Sequence, residues 1–394
     1  MDIQLSNRAN SIKPSPTLAV TNRAAELRAA GKDIIGLGAG EPDFDTPEHI
    51  KTAAIEAINN GFTKYTAVDG TPSLKQAIIA KFSRDNGLDY EPKQILVSCG
   101  GKQSFFNLSL ALLNPGDEVI IPAPYWVSYP DMVKVAEGVP VIIEADSEQH
   151  FKISPEQLEA AITPKTRLFV INSPSNPSGM AYTKSELEGL AAVLLKHPHV
   201  LVATDDMYEH IIWSEGGFHN ILTVCPALYD RCIVLNGVSK AYSMTGWRIG
   251  YAAGPEKLIA TMKKIQSQST SNPTSISQVA AEAALNGSLD EVHTMVKAFK
   301  ERHDYVVSSL NEINGVSCLQ GDGTFYAFAD FQKAIEANGQ TSNDVEFAEF
   351  LLNEAGVALV PGSAFGLPGY GRISFATDME TLKDAMGRIR KALA

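Results

Sequence analysis

Cysteine is scarce: Cys99, Cys225, Cys232 and Cys318 are the only four in 394 residues, and none forms a C-x-x-C pair. That excludes a disulfide-stapled scaffold and a cysteine-built zinc site, and predicts reduced core thiols. No uninterrupted apolar run approaches the roughly 18 residues that cross a bilayer, and MDIQLSNRANSIKPSP carries no apolar export segment. The expectation is a cytoplasmic protein with no membrane partner. Positive charge is in deficit: 33 Lys and Arg against 45 Asp and Glu leave a net charge of −12. This argues against nucleic acid as the main partner. It does not argue against small acids, because a local Arg or Lys binds a carboxylate whatever the sign of the total. Metal is not expected, since His197, His199, His210, His219 and His303 lack ligand spacing. Also missing are a G-x-x-x-x-G-K-[ST] loop, a G-x-S-x-G elbow around Ser239 and a G-x-G-x-x-G after a first strand. A P-loop enzyme, an α/β-hydrolase and a plain dehydrogenase are disfavoured accordingly.

The content is that of an ordinary globular chain, 44% hydrophobic and 20% charged, long enough for two domains. From ILVS onward, short apolar runs alternate with helical patterns: KQSFFNLSLALLN, EVIIPAP, YWVSYPDMVKVAEG, VPVIIEA, TRLFVIN, KSELEGLAAVLLKH, VLVATDD and CIVLNG. Such alternation predicts an α/β fold, a mostly parallel sheet covered on both faces in a three-layer large domain. The tail differs. GVSCLQ, TFYAFAD, VALVPG and GRISFA read as strands, with helices at about 343–355 and 379–393, which predicts a smaller α+β domain. The division expected is 1–45 as an arm and part of the small domain, 46–295 as the large domain and 296–394 as the small one. Near the N-terminus a helix is predicted after Thr21, with Thr17 just ahead of it as a cap or turn residue.

The chain is organised around CIVLNGVSKAYSMTGWRIGYAAG at 232–254. A buried strand delivers Lys240 among small residues, and Arg248 follows inside a second apolar stretch. An amine held beside a partly dry pocket loses its proton more easily and can condense with a carbonyl, which makes pyridoxal 5′-phosphate the leading candidate cofactor. Asp205 ends the apolar strand VLVATDD, where a carboxylate is costly unless it meets a cation or donors. It is either a cap or a functional group at the ligand-binding end of an open sheet. Gly100-Gly101 between a strand and a helix permits an anion at the helix N-terminus. Gly38 and Gly40 in DIIGLGAG suit a turn or close backbone approach to a ligand. Pro174 and Pro177 stiffen NSPSNPSG around Asn176. Arg372 in GRISFA is either a structural salt bridge or a carboxylate fork.

SKAYSMTGWRIGY resembles the lysine signature of the class I and II aminotransferases of fold type I, S-K-x-x-x-x-x-G-x-R-x-G-Y. With GEPDFDTP, CGGKQ, NSPSNPSG and TDDMYEH, the resemblance covers residue 12 to the C-terminus and is nearest the I-beta aspartate aminotransferases, some of which accept prephenate. It implies that Lys240 links pyridoxal phosphate and moves the proton, with Asp205 at the ring nitrogen. Tyr208 and Asn176 would then bind the ring oxygen, and Trp126, otherwise a core aromatic at the start of its helix, would stack on the ring. Gly101, Lys102 and Arg248 would hold the phosphate, joined by Tyr65 of a neighbouring subunit in a homodimer with shared active sites. Gly40, Asn176, Trp126 and Arg372 would contact the substrate, and Lys102 and Thr17 would meet its distal acid group. SQSTSNPTS lacks the arginine that better-known aspartate aminotransferases use there. The function implied is transfer of the amino group of aspartate or glutamate to 2-oxoglutarate or oxaloacetate, with prephenate as a further substrate. An alanine or aromatic aminotransferase, or a pyridoxal-dependent lyase, is the alternative.

Overall fold

The computed structural model describes residues 3–394, so the first two residues of the expected N-terminal arm lie outside it. Its strands in chain order are β1 (Ile35–Gly36), β2 (Ile95–Ser98), β3 (Glu118–Ala123), β4 (Val139–Glu144), β5 (Thr166–Asn172), β6 (Leu201–Asp205) and β7 (Cys232–Gly237). There follow β8 (Gly250–Ala253), β9 (Ser317–Cys318), β10 (Tyr326–Asp330), β11 (Val357–Ala358), β12 (Val360–Pro361) and β13 (Tyr370–Ser374). The large sheet has the order β2-β8-β7-β6-β5-β3-β4. Only β8 runs against its neighbours, and the other pairs are parallel. A parallel sheet needs cover on both faces, which is why β7 is buried throughout and apolar from Cys232 to Leu235. Alternation sorts its residues: Ile233 and Leu235 pack with Phe105, Leu108 and Met262 on one face, while Cys232 and Val234 join Ile78, Phe82 and Leu190 on the other. Each such side chain contributes about 1.5–3 kcal/mol on burial.

A second, antiparallel sheet has the order β12-β13-β10-β9, and β1 pairs in parallel with β11. The segment after β1 is tied onward: Leu37 N–H donates to Ala358 O over 2.8 Å, and Ser374 N–H donates to Leu37 O over 2.7 Å. The α/β class and the smaller sheet therefore match expectation. The register of the large sheet sets Asn172 beside Asp205 and Asp205 beside Leu235. The carboxyl ends of β5, β6 and β7 thus form one rim, where ligands of such sheets bind.

Three local readings need correction. The first long helix is Pro16–Ala29 and not a helix after Thr21. Ser15 is its N-cap, accepting from Leu18 N–H, and Pro16 is preset for the first turn, so Thr17 lies inside that turn and is no cap. Trp126 does not begin a helix: the helix is Tyr129–Val135, and Trp126 precedes it in a turn whose carbonyl accepts from Tyr129 N–H over 3.1 Å. The helix Gln332–Asn338 went unread, a short amphipathic turn whose only buried residues are Ala334 and Ile335.

Candidate active site

Lys240 sits just past β7, in a turn between two apolar strands. Its Nζ donates to Gly40 O over 2.5 Å. Burial, reinforced by Arg372 and Arg248 and opposed by Glu41 and Asp205, brings the amine down to about 8. An amine brought down this far can serve as a nucleophile and as a proton carrier.

Asp205 closes β6. Burial pushes its carboxyl up, and donors work against that. Tyr129 Oη donates to its Oδ2 over 2.5 Å and Met207 N–H to its Oδ1 over 3.3 Å. Asn172 Nδ2 donates to the Asp205 carbonyl over 2.9 Å, while its Oδ1 accepts from Asn176 N–H over 2.8 Å. Arg372 then donates from Nη1 to Asn176 Oδ1 over 2.9 Å and from Nη2 to Gly38 O over 2.8 Å. With its oxygen occupied, Asn176 keeps its two N–H donors for a ligand. Behind the rim, Glu209 is ion-paired with Lys81 and accepts from Asn86 and Asn236 over 2.7 Å each, which fixes the turn that carries Tyr208.

Arg372 is 2% exposed and forms no ion pair among the described residues, and its Nε has no hydrogen-bond partner. A salt bridge is therefore not its role. A buried guanidinium with a spare donor calls for an anion.

A second set of donors gathers at the N-terminus of the helix Gly101–Leu112. Among the described residues Arg248 Nη1 and Nη2 reach only carbonyls, Thr245 O at 2.8 Å and Cys99 O at 3.3 Å. Gly100 has φ 88°, and a Cβ there would come within 2.4 Å of the Arg248 guanidinium, so only glycine permits the approach. Lys102 Nζ lies 5.2 Å from the Trp126 ring centroid, its amine held low by burial and by Arg248.

One cavity of about 350 Å³ unites these groups. Thr17, Gly40, Gly101, Lys102, Trp126, Asn176, Asp205, Tyr208, Lys240, Arg248 and Arg372 all line it. Tyr65 does not. It stands at the surface, 91% exposed. The cavity wall also holds residues that the sequence did not mark, among them Ser15, Leu18, Glu41, Met207 and Tyr326. Tyr129 supports Asp205 from behind. Strand alternation in TFYAFAD puts Tyr326 on the face of Phe328, which pairs with Arg372, and that was the available signal. Nothing local marked Tyr129, whose partner lies 76 residues away.

Known proteins bear on what this cavity serves. Residues 32–389 match the family described as Aminotransferase class I and II. The chain belongs to the class I and II aminotransferases. This aminotransferase is 62% identical to the aspartate/prephenate aminotransferase of Nitrosomonas europaea, with 100% of both chains covered, and 56% identical to that of Cereibacter sphaeroides, with 98% of each covered. It superimposes on the aspartate aminotransferase of Rhizobium meliloti with a TM-score of 0.96 at 50% identity, covering 100% of this chain and 99% of that one. For the Thermus thermophilus aspartate aminotransferase with maleate the TM-score is 0.93 at 42% identity, covering 99% and 100%. The enzyme is pyridoxal-phosphate-dependent. The donor set suits that cofactor: a guanidinium without an acid partner among the described residues, at a helix N-terminus, for the phosphate, a carboxylate at a strand end for the ring nitrogen, and a depressed lysine in the same cavity for the aldehyde. Among the described residues no helix is long and apolar enough to cross a membrane, and no group of His, Cys, Asp and Glu could hold a metal ion.

Proposed function

We propose that the chain moves the amino group of aspartate or glutamate to 2-oxoglutarate or oxaloacetate, and that it also uses prephenate. The observation that carries this reading is that, beyond Arg248 at the phosphate position, two further cations without acid partners among the described residues, Arg372 and Lys102, line the cavity that holds Lys240. A substrate with an α-carboxylate and a second acid group answers both, whereas alanine or phenylalanine answers one. The names of the relatives from Nitrosomonas europaea and Cereibacter sphaeroides support it.

When bound, pyridoxal phosphate supplies an electron-accepting ring that lets an amino acid lose its α-proton. The residues do the rest. Asp205, whose carboxylate form Tyr129 and Met207 favour against burial, would hold a proton on the ring nitrogen. Lys240 would be the attachment amine, and when free would take the α-proton and return it. Tyr208 and the spare donors of Asn176 stabilise negative charge on the ring oxygen. Trp126 offers a flat wall, and Arg248 with the N–H groups of Gly101 and Lys102 receives the phosphate. Arg372 orients the α-carboxylate, Gly40 lies against the substrate, and Lys102 and Thr17 meet its distal end.

Tyr65 stands on a surface with exposed Ile55, Ile58 and Phe62. We assign this face to a second copy of the chain, with Tyr65 reaching the partner's phosphate site in a cytoplasmic homodimer. Residues 46–295 are assigned to the cofactor domain and 296–394 to the smaller one, with the N-terminal segment up to residue 45 as an arm and part of that smaller domain.

The test is a substrate matrix on the reconstituted protein. Aspartate with 2-oxoglutarate should give oxaloacetate, and glutamate with prephenate should give the corresponding amino acid. Turnover of alanine or phenylalanine without turnover of aspartate would overturn the reading.

A further inference from the structure

Tyr326 starts β10, is 1% exposed and contacts both halves of the site. Its ring lies under the guanidinium of Arg372, with Cζ 4.3 Å from the ring centroid, and Phe365 flanks the same guanidinium at 5.0 Å. The pairing of β10 with β13 makes this contact: Tyr326 opposes Ser374 and Phe328 opposes Arg372, so Tyr326 and Arg372 are diagonal neighbours on one face. At the other end of the ring, Tyr326 Oη lies 3.1 Å from Tyr208 Oη. A Cβ on Gly40 would stand 3.1 Å from the same hydroxyl, so the segment carrying Gly40 closes over it. The titratable or charged groups that face Tyr326 are Tyr208 from the turn after β6, Arg372 from β13 and Glu41 from the segment after β1.

Two facing hydroxyls share one hydrogen bond, and which one donates decides where the other proton goes. Burial raises both phenols, but the guanidinium lies directly on the Tyr326 ring, 4.3 Å from its centroid, and draws charge from that ring, which makes Tyr326 the better donor of the pair. Tyr208 then accepts from Tyr326, and its own proton is left for the cavity. We propose that Tyr326 is a positioning residue, which aims the hydroxyl proton of Tyr208 at the ring oxygen of the cofactor and holds Arg372 flat for the α-carboxylate. It thereby couples the substrate anchor to the phenol that sets the proton affinity of the lysine-linked nitrogen. The inference rests on the aminotransferase reading of the cavity.

Two variants separate the hydroxyl from the ring, and both are tested in the holoenzyme. In Tyr326→Phe, the pH midpoint at which the visible absorbance of the bound cofactor changes moves upward by about half to one pH unit, the worth of one neutral hydrogen bond. Maleate binding stays within about twofold, in the holoenzyme and by calorimetry on the cofactor-free protein, because the stacked ring persists. Tyr326→Leu moves the midpoint likewise and weakens maleate about three- to tenfold. In the Tyr208→Phe background, adding Tyr326→Phe gives no further shift, because Tyr326 acts through Tyr208. A Tyr326→Phe midpoint at the wild-type value, or an additional shift in the double variant, overturns the inference alone. A wild-type protein whose bound cofactor shows no pH-dependent band overturns the functional reading and this inference with it.

Discussion

The hydroxyl of Tyr129 donates to Oδ2 of Asp205 over 2.5 Å, from a phenol buried beneath the sheet rim. Burial alone would leave the carboxyl protonated more readily, and this donor is the largest opposing influence. Tyr129→Phe removes one charge-assisted hydrogen bond, worth about 1.5–3 kcal/mol. We expect kcat/KM to fall about 10- to 100-fold. The sign of the pH effect follows: with the donor gone the Asp205 carboxyl titrates higher, so the acid limb of the pH–rate profile moves up. A profile with its acid limb in place would contradict this role.

Lys102 has no acid partner among the described residues and stands over Trp126 in the cavity wall. Lys102→Ala should lower kcat/KM for aspartate by about 1.5–3 kcal/mol, or 10- to 100-fold, and change that for alanine far less. Steady-state kinetics on the two amino donors decide it, and equal losses would remove Lys102 from the recognition of the distal acid group.

Gly100 has φ 88° and ψ 160°, a region that residues bearing a Cβ enter at about 1–3 kcal/mol. Gly100→Ala also drives a methyl against Arg248. Cofactor affinity, measured by reconstitution of the cofactor-free protein, should weaken about tenfold or more. Maleate binding should change far less, because its proposed anchor, Arg372, stands on β13.

Lys240 shapes stability as well as chemistry. Its amine sits at about 8 in the fold against an ordinary value of 10.5, so the folded protein disfavours the charged form. The destabilisation is complete below pH 8 and vanishes as pH rises through 10.5. Cofactor-free Lys240→Met should therefore melt above the wild type at pH 7, by about 1–3 kcal/mol, and the gap should close towards pH 10. A gap that does not change with pH would place the amine in water.

Groups whose place in the cavity is written in neighbouring residues were legible in the sequence. Lys240 and Arg248 share one segment, Asp205 ends an unbroken apolar strand, and the glycine pair ahead of Lys102 separates a strand from a helix. All of them line one cavity. Groups whose role depends on distant partners were not. Tyr129 matters because β6 passes beside it, and Tyr326 because β13 brings Arg372 over its ring. Helix starts failed for a different reason: Ser15 and Pro16 fix the start of Pro16–Ala29 by a cap that outweighs the polar sequence after it, and the turn at Trp126 is closed by a backbone bond that no side chain announces.

The central claim is that the amine of Lys240 carries the cofactor. Sodium borohydride reduction of the holoenzyme, followed by digestion and mass spectrometry, reads the attachment point directly. The reduced cofactor should be found on the peptide containing Lys240 and be absent from Lys240→Ala treated in the same way. A label on any other lysine, or one that survives in Lys240→Ala, would contradict it.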